Sequence, residues 1–321
     1  MSNNMTTILL VGTGSMGTAY AKVIKELGLS FAVIGRGEVS ASQFRNETGI
    51  EPLIGGLSNW LATNPICPKI VIVAVNVENL AQTAIELMNY GVDKILLEKP
   101  GGLKFNEIQK VYNLSIETKT HVCIAYNRRF YTSVIEANRI IQEDGGVSSF
   151  NFEFTEWGHI IENLEISKEL KESWFLANSS HVIDLAFYLG GYPISLSTYI
   201  SGTLPWHPKA SKFSGSGISK NEAIFSYIAN WEAPGRWGVE VTTKKHRLIL
   251  RPLEKLQVQK IGSVKIEEWE IDDRLDEKFK PGLYLQVKEF MANQQSEQLI
   301  SIENHVKQVN EIFMQILNPK N

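Results

Sequence analysis

Six residues near the start of the chain, Gly12-Thr13-Gly14-Ser15-Met16-Gly17, restrict its fold more than any others. They follow directly on an apolar run, Thr7-Ile8-Leu9-Leu10-Val11, of the kind a parallel sheet buries on both faces. After them Ala19, Tyr20, Val23, Ile24 and Leu27 return at helical spacing, and Gly28 supplies a stop. Strand, G-x-G-x-x-G and helix in this order form a dinucleotide-binding turn. The first glycine permits the tight turn, the second lets backbone approach a pyrophosphate, and the third brings helix and strand close. The helix N-terminus then favours the phosphate charge. A glycine pattern alone is weak evidence, and the flanking strand and helix give it weight. Gly12, Thr13, Gly14, Ser15, Met16 and Gly17 are therefore the expected cofactor contacts.

The following strand, Phe31-Ala32-Val33-Ile34, should end on the residue that reads the adenosine ribose. An NAD site places Asp or Glu there. This chain has Gly35-Arg36-Gly37, with Ser40 close behind, so a guanidinium can clamp a 2′-phosphate and no carboxylate repels it. That favours NADP over NAD. The alternative has Arg36 stacking on adenine or pointing to water, which leaves the choice open.

Lys69 to Val75 is a β-branched strand, and Asn76 at its end can cap a helix from Leu80 to Met88 beside the nicotinamide half of the cofactor. Another strand, Lys94 to Leu97, runs into Glu98-Lys99-Pro100-Gly101-Gly102. Proline disfavours helix at the preceding residue, so Lys99 stays extended at a strand end, where open α/β sheets bind ligands. Taken alone, Lys99 also reads as a solvated lysine at a surface turn. A helix from Phe105 to Glu117 and a strand from His121 to Tyr126 complete the alternation, which predicts a doubly wound parallel sheet closing near residue 125.

Beyond a predicted helix over 127–143 the pattern changes. Phe150-Asn151-Phe152-Glu153-Phe154 alternates with period two, and further strands are expected at Ser195 to Ser201, Ala223 to Trp231, Trp237 to Thr243, Arg247 to Leu250 and Lys255 to Val258. They suit an antiparallel sheet with helices on one face and a second subunit available to cover the other. The Ser-, Gly- and Lys-rich tract Lys209 to Lys220 reads as a mobile loop, and helices are expected near Tyr284 to Ala292 and Ile302 to Leu317. With 321 residues the chain has room for two domains, placed at 1–124 and 125–321.

A net charge of -3 gives no general attraction to nucleic acid or anionic membrane. Two separated cysteines, Cys67 and Cys123, make neither a disulfide framework nor a zinc site, and no metal is expected. Met1 to Thr7 lacks the signature of a signal peptide, and no apolar run reaches the ~20 residues of a membrane span. A cytoplasmic protein is the expectation.

The glycine loop, Glu98-Lys99-Pro100 and Tyr126-Asn127-Arg128-Arg129-Phe130 together resemble the glucose–fructose oxidoreductase / inositol dehydrogenase (Gfo/Idh/MocA) family. The resemblance runs over essentially the whole chain and is specific for fold and cofactor, not for substrate. It implies a Rossmann domain followed by a domain with a large, open, mostly antiparallel sheet, and NAD(P)-dependent chemistry at a carbohydrate or cyclitol hydroxyl. It implies a catalytic role for Lys99, with Glu98 and Asn76 beside the cofactor. Family members carry a His and, three residues later, an Asp, matched here by His181 and Asp184. They also carry an Asp four residues before the His, and that position is Ala177 in this chain. His181 is the expected proton carrier, against the competing reading of a locally satisfied helix histidine.

Asn178, Ser179 or Ser180 is expected to cap the helix that carries His181. Asp184, Asn178, Tyr126, Arg129 and Trp174 are the expected substrate contacts, with Trp157, Trp206 and Trp237 as further aromatic candidates. The expected assembly is a homodimer or homotetramer through the second sheet. Two other classes fit the same resemblance: a regulatory protein that senses the dinucleotide without turnover, which Ala177 supports, and a glycosidase that recycles a bound nicotinamide.

Overall fold

The structure, a computed structural model, describes residues 8–292 and 296–319. The expectations placed on Met1 to Thr7, including Thr7 as the opening residue of the first strand, lie outside the described residues. The chain divides into two compact units. One comprises everything up to Tyr126 together with Leu283–Val306, and the other comprises Asn127–Gly282 together with the chain from Lys307 onwards.

In the first unit five short apolar strands pair in parallel: β1 (Ile8–Val11), β2 (Phe31–Ile34), β3 (Ile70–Val73), β4 (Lys94–Glu98) and β5 (His121–Ala125). Their order across the sheet is β5-β4-β3-β1-β2, so the chain turns back over β1 on its way from β2 to β3. In such a sheet the crevice beyond the carboxyl ends of β1 and β3 is the ligand-binding place. All four residues of β1 are buried, as covering helices on both faces require. The sheet does not end at β5, as the sequence suggested. A two-residue strand, Ile300–Ser301, adds antiparallel to its edge through Ile300 opposite Ile124 and Ser301 opposite Cys123. The helix Leu283–Met291 buries Leu283, Gln286, Val287 and Phe290 and packs against α1 (Ser15–Glu26). Residues 283–306, which the sequence assigned to the second domain, therefore return to the first. A two-residue strand carries no periodicity by which to foresee this.

The second unit holds an eight-stranded sheet: β6 (Ser149–Glu153), β7 (Pro193–Ser201), β8 (Lys212–Ser219), β9 (Ile224–Asn230), β10 (Gly238–Thr242), β11 (His246–Leu250), β12 (Gln257–Lys260) and β13 (Ile266–Glu268). The order is β13-β12-β11-β10-β6-β9-β8-β7, antiparallel except where β6 and β9 run together. Period-two alternation puts Phe150 and Phe152 on the inner face, stacked against Phe225 and Tyr227 of β9 at 5.1 and 5.2 Å. Phe187 of the helix Ser180–Gly190 meets the rings of Phe150, Phe152 and Phe225 edge-on, which fixes that helix across the sheet.

Three expectations here are corrected. The tract read as a mobile loop contains β8, a regular strand. Its Gly215 and Gly217 lack side chains because the rings of Tyr227 and Phe225 fill the space where a Cβ would stand. The predicted helix over 127–143 is two pieces, a 3-10 turn Asn127–Phe130 and a helix Thr132–Glu143, with Tyr131 extended between them. Finally, Asn178, Ser179 and Ser180 do not cap a helix. A stretch of π-helix, Phe175–Ser179, leads without interruption into Ser180–Gly190.

Candidate functional site

A cavity of about 730 Å³ opens in the first unit beyond the ends of β1, β2 and β3. Gly12, Thr13 and Gly14 line it, together with Arg36 after β2 and Asn76 after β3. The three glycines of the motif are needed for different reasons. Gly12 has φ +124°, and a Cβ there would strike the carbonyl oxygen of Ala74. A Cβ at Gly17 would strike the carbonyl oxygen of Gly12, so this glycine sets how closely α1 approaches the β1 turn. Gly14 is different: a Cβ there meets nothing within 4 Å. Nothing in the protein requires Gly14 to be bare, whereas a ligand lying on the backbone would.

Gly14 is the N-cap of α1 and makes no side-chain cap bond, and the first turn holds no acidic residue. The free N–H groups and the positive end of the helix are left for an anion. A dinucleotide pyrophosphate fits this cradle. Ser15, Met16 and Gly17 form the first turn of α1. Arg36 is exposed on the cavity wall. Glu38 lines the same cavity, so the expected absence of a carboxylate beside Arg36 does not hold; Glu38 lies 3.6 Å from Arg45. Asn76 occupies the N-cap of the helix Val77–Tyr90 without making the expected side-chain bond, and is exposed on the cavity wall instead.

The Glu98-Lys99-Pro100 turn is tied down from within the same unit. Glu98, expected among the cofactor contacts, is buried and accepts a 2.6 Å hydrogen bond from the Tyr20 hydroxyl. Burial and the neighbouring Glu98 carboxylate push the Tyr20 pKa well above its ordinary value. Helix α1 and the end of β4 are thereby joined. Neither Glu98 nor Lys99 lines the cavity. Pro100, behind a cis peptide bond, offers its carbonyl oxygen to Nε2 of the fully buried His305 at 2.8 Å, so that nitrogen carries the proton. Tyr126, expected in a pocket wall, is buried with its ring 5.5 Å from that of His305. Lys99 itself is half-buried. His305 and Tyr20 were not foreseen, because nothing local in the sequence marks a residue that acts on a turn so distant along the chain.

In the second unit, Arg129 and Asp184 meet each other. Arg129 Nε donates to Oδ2 at 2.8 Å and an Nη to Oδ1 at 2.6 Å, while the Gln308 amide donates to Oδ1 at 2.9 Å. Asp184 is 0% exposed. Both residues were expected to contact substrate; the geometry instead makes them a buried clamp joining the 3-10 turn, the His181 helix and the C-terminal helix.

One face of that helix region carries a second polar group. Asn178 and Ser179 both donate to Glu156, Ser179 at 2.7 Å, and Arg236 pairs with it at 3.2 Å. Glu156 is 2% exposed, and burial raises its pKa despite these partners. It follows β6 as Arg236 precedes β10, and the pairing of Glu153 with Gly238 brings the two strand extensions side by side. Glu156, from the segment after β6, is thus held against the π-helical stretch that contains Ala177. Asn178, expected to face substrate, holds this carboxylate. Trp237 lies 6.1 Å from the His181 ring, whereas Trp206 stacks on Trp231 in the core. Trp174, half-buried, begins the π-helical stretch, and Trp157 is exposed.

No helix among the described residues is long and apolar enough to cross a membrane. No curated protein matches the sequence. Among solved structures, a putative NADPH-dependent oxidoreductase from Desulfitobacterium hafniense superposes with a TM-score of 0.78 at 15% identity, covering 99% of this chain and 97% of that one. The WlbA dehydrogenase from Bordetella pertussis, in complex with NADH and UDP-GlcNAcA, gives 0.72 at 14% identity, covering 98% and 97%. Levoglucosan dehydrogenase, in complex with NADH and L-sorbose, gives 0.71 at 18% identity, covering 97% and 96%. At these identities the likeness establishes the fold. Residues 6–126 match the family model described as GFO_IDH_MocA, oxidoreductase family, NAD-binding Rossmann fold, which is the part of the chain that holds the glycine loop and the cavity.

Proposed function

We propose that this chain is an NAD(P)-dependent dehydrogenase or reductase of the cytoplasm, acting on a hydroxyl or keto carbon of a sugar, nucleotide sugar or cyclitol. The observation that carries the reading is the glycine loop. Two of its glycines are required by the protein's own packing, while the third is bare over open space at an uncapped helix N-terminus. The sugar ligands of the NADH-bound relatives support the substrate class.

When bound, the nicotinamide gives or takes the hydride. Lys99 holds the reacting oxygen, its ammonium opposing negative charge that develops there. His181 accepts the hydroxyl proton in oxidation and returns it in reduction. Arg129 and Asp184 fix the helix that carries His181. His305, Tyr126, Tyr20 and Glu98 fix the turn that carries Lys99. Trp174, half-buried, is the ring surface available to a pyranose face.

Arg36 makes NADPH the preferred cofactor in this reading. Titration of intrinsic fluorescence should give a lower Kd for NADPH than for NADH. Arg36→Ala should weaken NADPH by about tenfold, the scale of one charge-assisted contact, and leave NADH almost unchanged. Tighter NADH binding with no effect of the substitution would make this an NAD enzyme.

A second copy of the chain is proposed to cover the outer face of the second unit's sheet. Ile224 and Ile228 of β9, Ile218 of β8 and Tyr199 of β7 are all exposed there. Light scattering on the eluting protein should give a dimer or tetramer, and Ile228→Glu should shift it towards monomer by burying a charge. A monomeric parent protein would remove the proposal.

A further inference from the structure

Near His181 in the second unit, hydrogen-bond donors outnumber acceptors. Trp237 is 5% exposed, and its indole N–H finds no acceptor among the described residues. Buried indole N–H groups ordinarily have one. Two guanidinium groups lie over the same indole, that of Arg128 with its central carbon 4.8 Å from the ring centroid and that of Arg236 at 4.7 Å. Arg236 is close enough to disfavour the charge on Arg128.

Their compensation is unequal. Arg236 is about half exposed and pairs with Glu156. Arg128 is half-buried and makes no ion pair among the described residues. Among the described residues its guanidinium makes one hydrogen bond, a long contact of 3.4 Å to the side chain of its neighbour Asn127. Glu254 and Glu156 act on it only from a distance, and desolvation lowers its pKa. Stacking on Trp237, and on Tyr131 at 5.9 Å, offers its faces to aromatic rings and leaves its in-plane N–H groups with only that long contact among the described residues. Two arginines and an indole N–H present donors only, around one ring. Such a group is complete when a ligand brings the missing acceptors and negative charge.

We infer that Arg128, Arg236 and the Trp237 N–H form an anion subsite, and that the substrate is an acidic sugar, carrying a carboxylate or a phosphate, rather than a neutral one. The inference rests on the proposed function for the identity of the sugar, and on the second unit alone for the anion. The subsite stands one indole away from His181. The acidic group is therefore not the reacting carbon's own substituent but lies further along the molecule. A carboxylate accepts two parallel N–H bonds from a guanidinium, as does a phosphate, so both sources share this recognition.

The test is calorimetry on the full chain with NADH present, using glucose, glucuronate, glucose 6-phosphate and UDP-glucose as probes. At least one acidic probe should bind tenfold or more tightly than glucose and weaken as salt is raised. Tight glucuronate identifies a carboxylate subsite, whereas tight glucose 6-phosphate or UDP-glucose identifies a phosphate subsite. Arg128→Gln should cut the preference for the acidic probe over glucose by about 10- to 100-fold, with Arg128→Lys recovering part of it. Arg236→Gln, at a side chain outside any helix or strand, should act in the same direction and keeps the test decisive if the first variant does not fold.

Equal affinity for glucose and every acidic probe would overturn the inference, as would variants that weaken all probes by the same factor. The two readings fail separately. Hydride exchange with neutral sugars and no anion preference leaves the dehydrogenase without the subsite. Arginine-dependent binding of an acidic probe with no hydride exchange across the panel leaves the subsite without the dehydrogenase.

Discussion

Lys99→Met is expected to lower kcat by about 10²- to 10⁴-fold, the range a positioned proton-transfer or charge-stabilising group contributes, while the Kd for NADH stays within a factor of about two. The substitution keeps an unbranched apolar stem, one atom shorter, and removes the charge. The surroundings of Lys99 are held by other contacts as well. Glu98 is fixed by the Tyr20 hydroxyl, and the Pro100 carbonyl is fixed by His305. The helix Phe105–Thr118 that follows is anchored by Glu107, which accepts from the backbone N–H of Leu103 at 2.7 Å. The turn should therefore persist with Met in place, and the cofactor cavity, which Lys99 does not line, should keep its affinity. Single-turnover hydride transfer, monitored by nicotinamide absorbance, separates the chemical step from product release. A rate within a few-fold of the parent would remove Lys99 from the chemistry. A collapse of NADH affinity would make it a cofactor ligand instead.

The first unit was legible because its signals are local. β1, the glycine loop and α1 are contiguous, and Gly12 and Gly17 are explained by contacts within a few residues or with the end of one neighbouring strand. The two exceptions in this unit are long-range. The edge strand Ile300–Ser301 is too short to have a period, and His305 reaches Pro100 from the far end of the chain. Both are contacts that only the folded chain creates.

In the second unit the sheet was legible and its site was not. Alternation at Phe150 and Phe152 marks a strand whether or not its partner is known. β8, by contrast, was hidden by its own composition, since the apolar cover over Gly215 and Gly217 is supplied by β9. His181 and Asp184 at helical spacing suggested two groups facing one substrate. The sequence does not show that Arg129 and Gln308 saturate Asp184, nor that Asn178 turns to Glu156. Spacing reports which residues share a face. It does not report what already occupies their hydrogen bonds, and that distinguishes a group that binds substrate from one that supports it.

Asp184→Ala is expected to destabilise the second unit by about 3–5 kcal/mol, because it leaves the Arg129 guanidinium buried without its carboxylate. For a unit of this size that corresponds to a fall in Tm of roughly 6–20 °C. Asp184→Asn should cost less, since an amide oxygen can still accept one of the two Arg129 bonds. Replacing both partners by apolar residues, Arg129→Met with Asp184→Leu, should recover part of the loss, because no unpaired charge is then buried. The same series separates support from substrate contact. A carboxylate that bound a sugar hydroxyl would show its loss mainly in KM, with the melting temperature barely moved and with no rescue by a change at Arg129. A clamp shows the opposite pattern: stability and kcat fall together as the helix carrying His181 loses its fixed position, and the double replacement restores stability before it restores rate. A Tm within about 2 °C of the parent for Asp184→Ala would mean the pair is not worth what its burial implies.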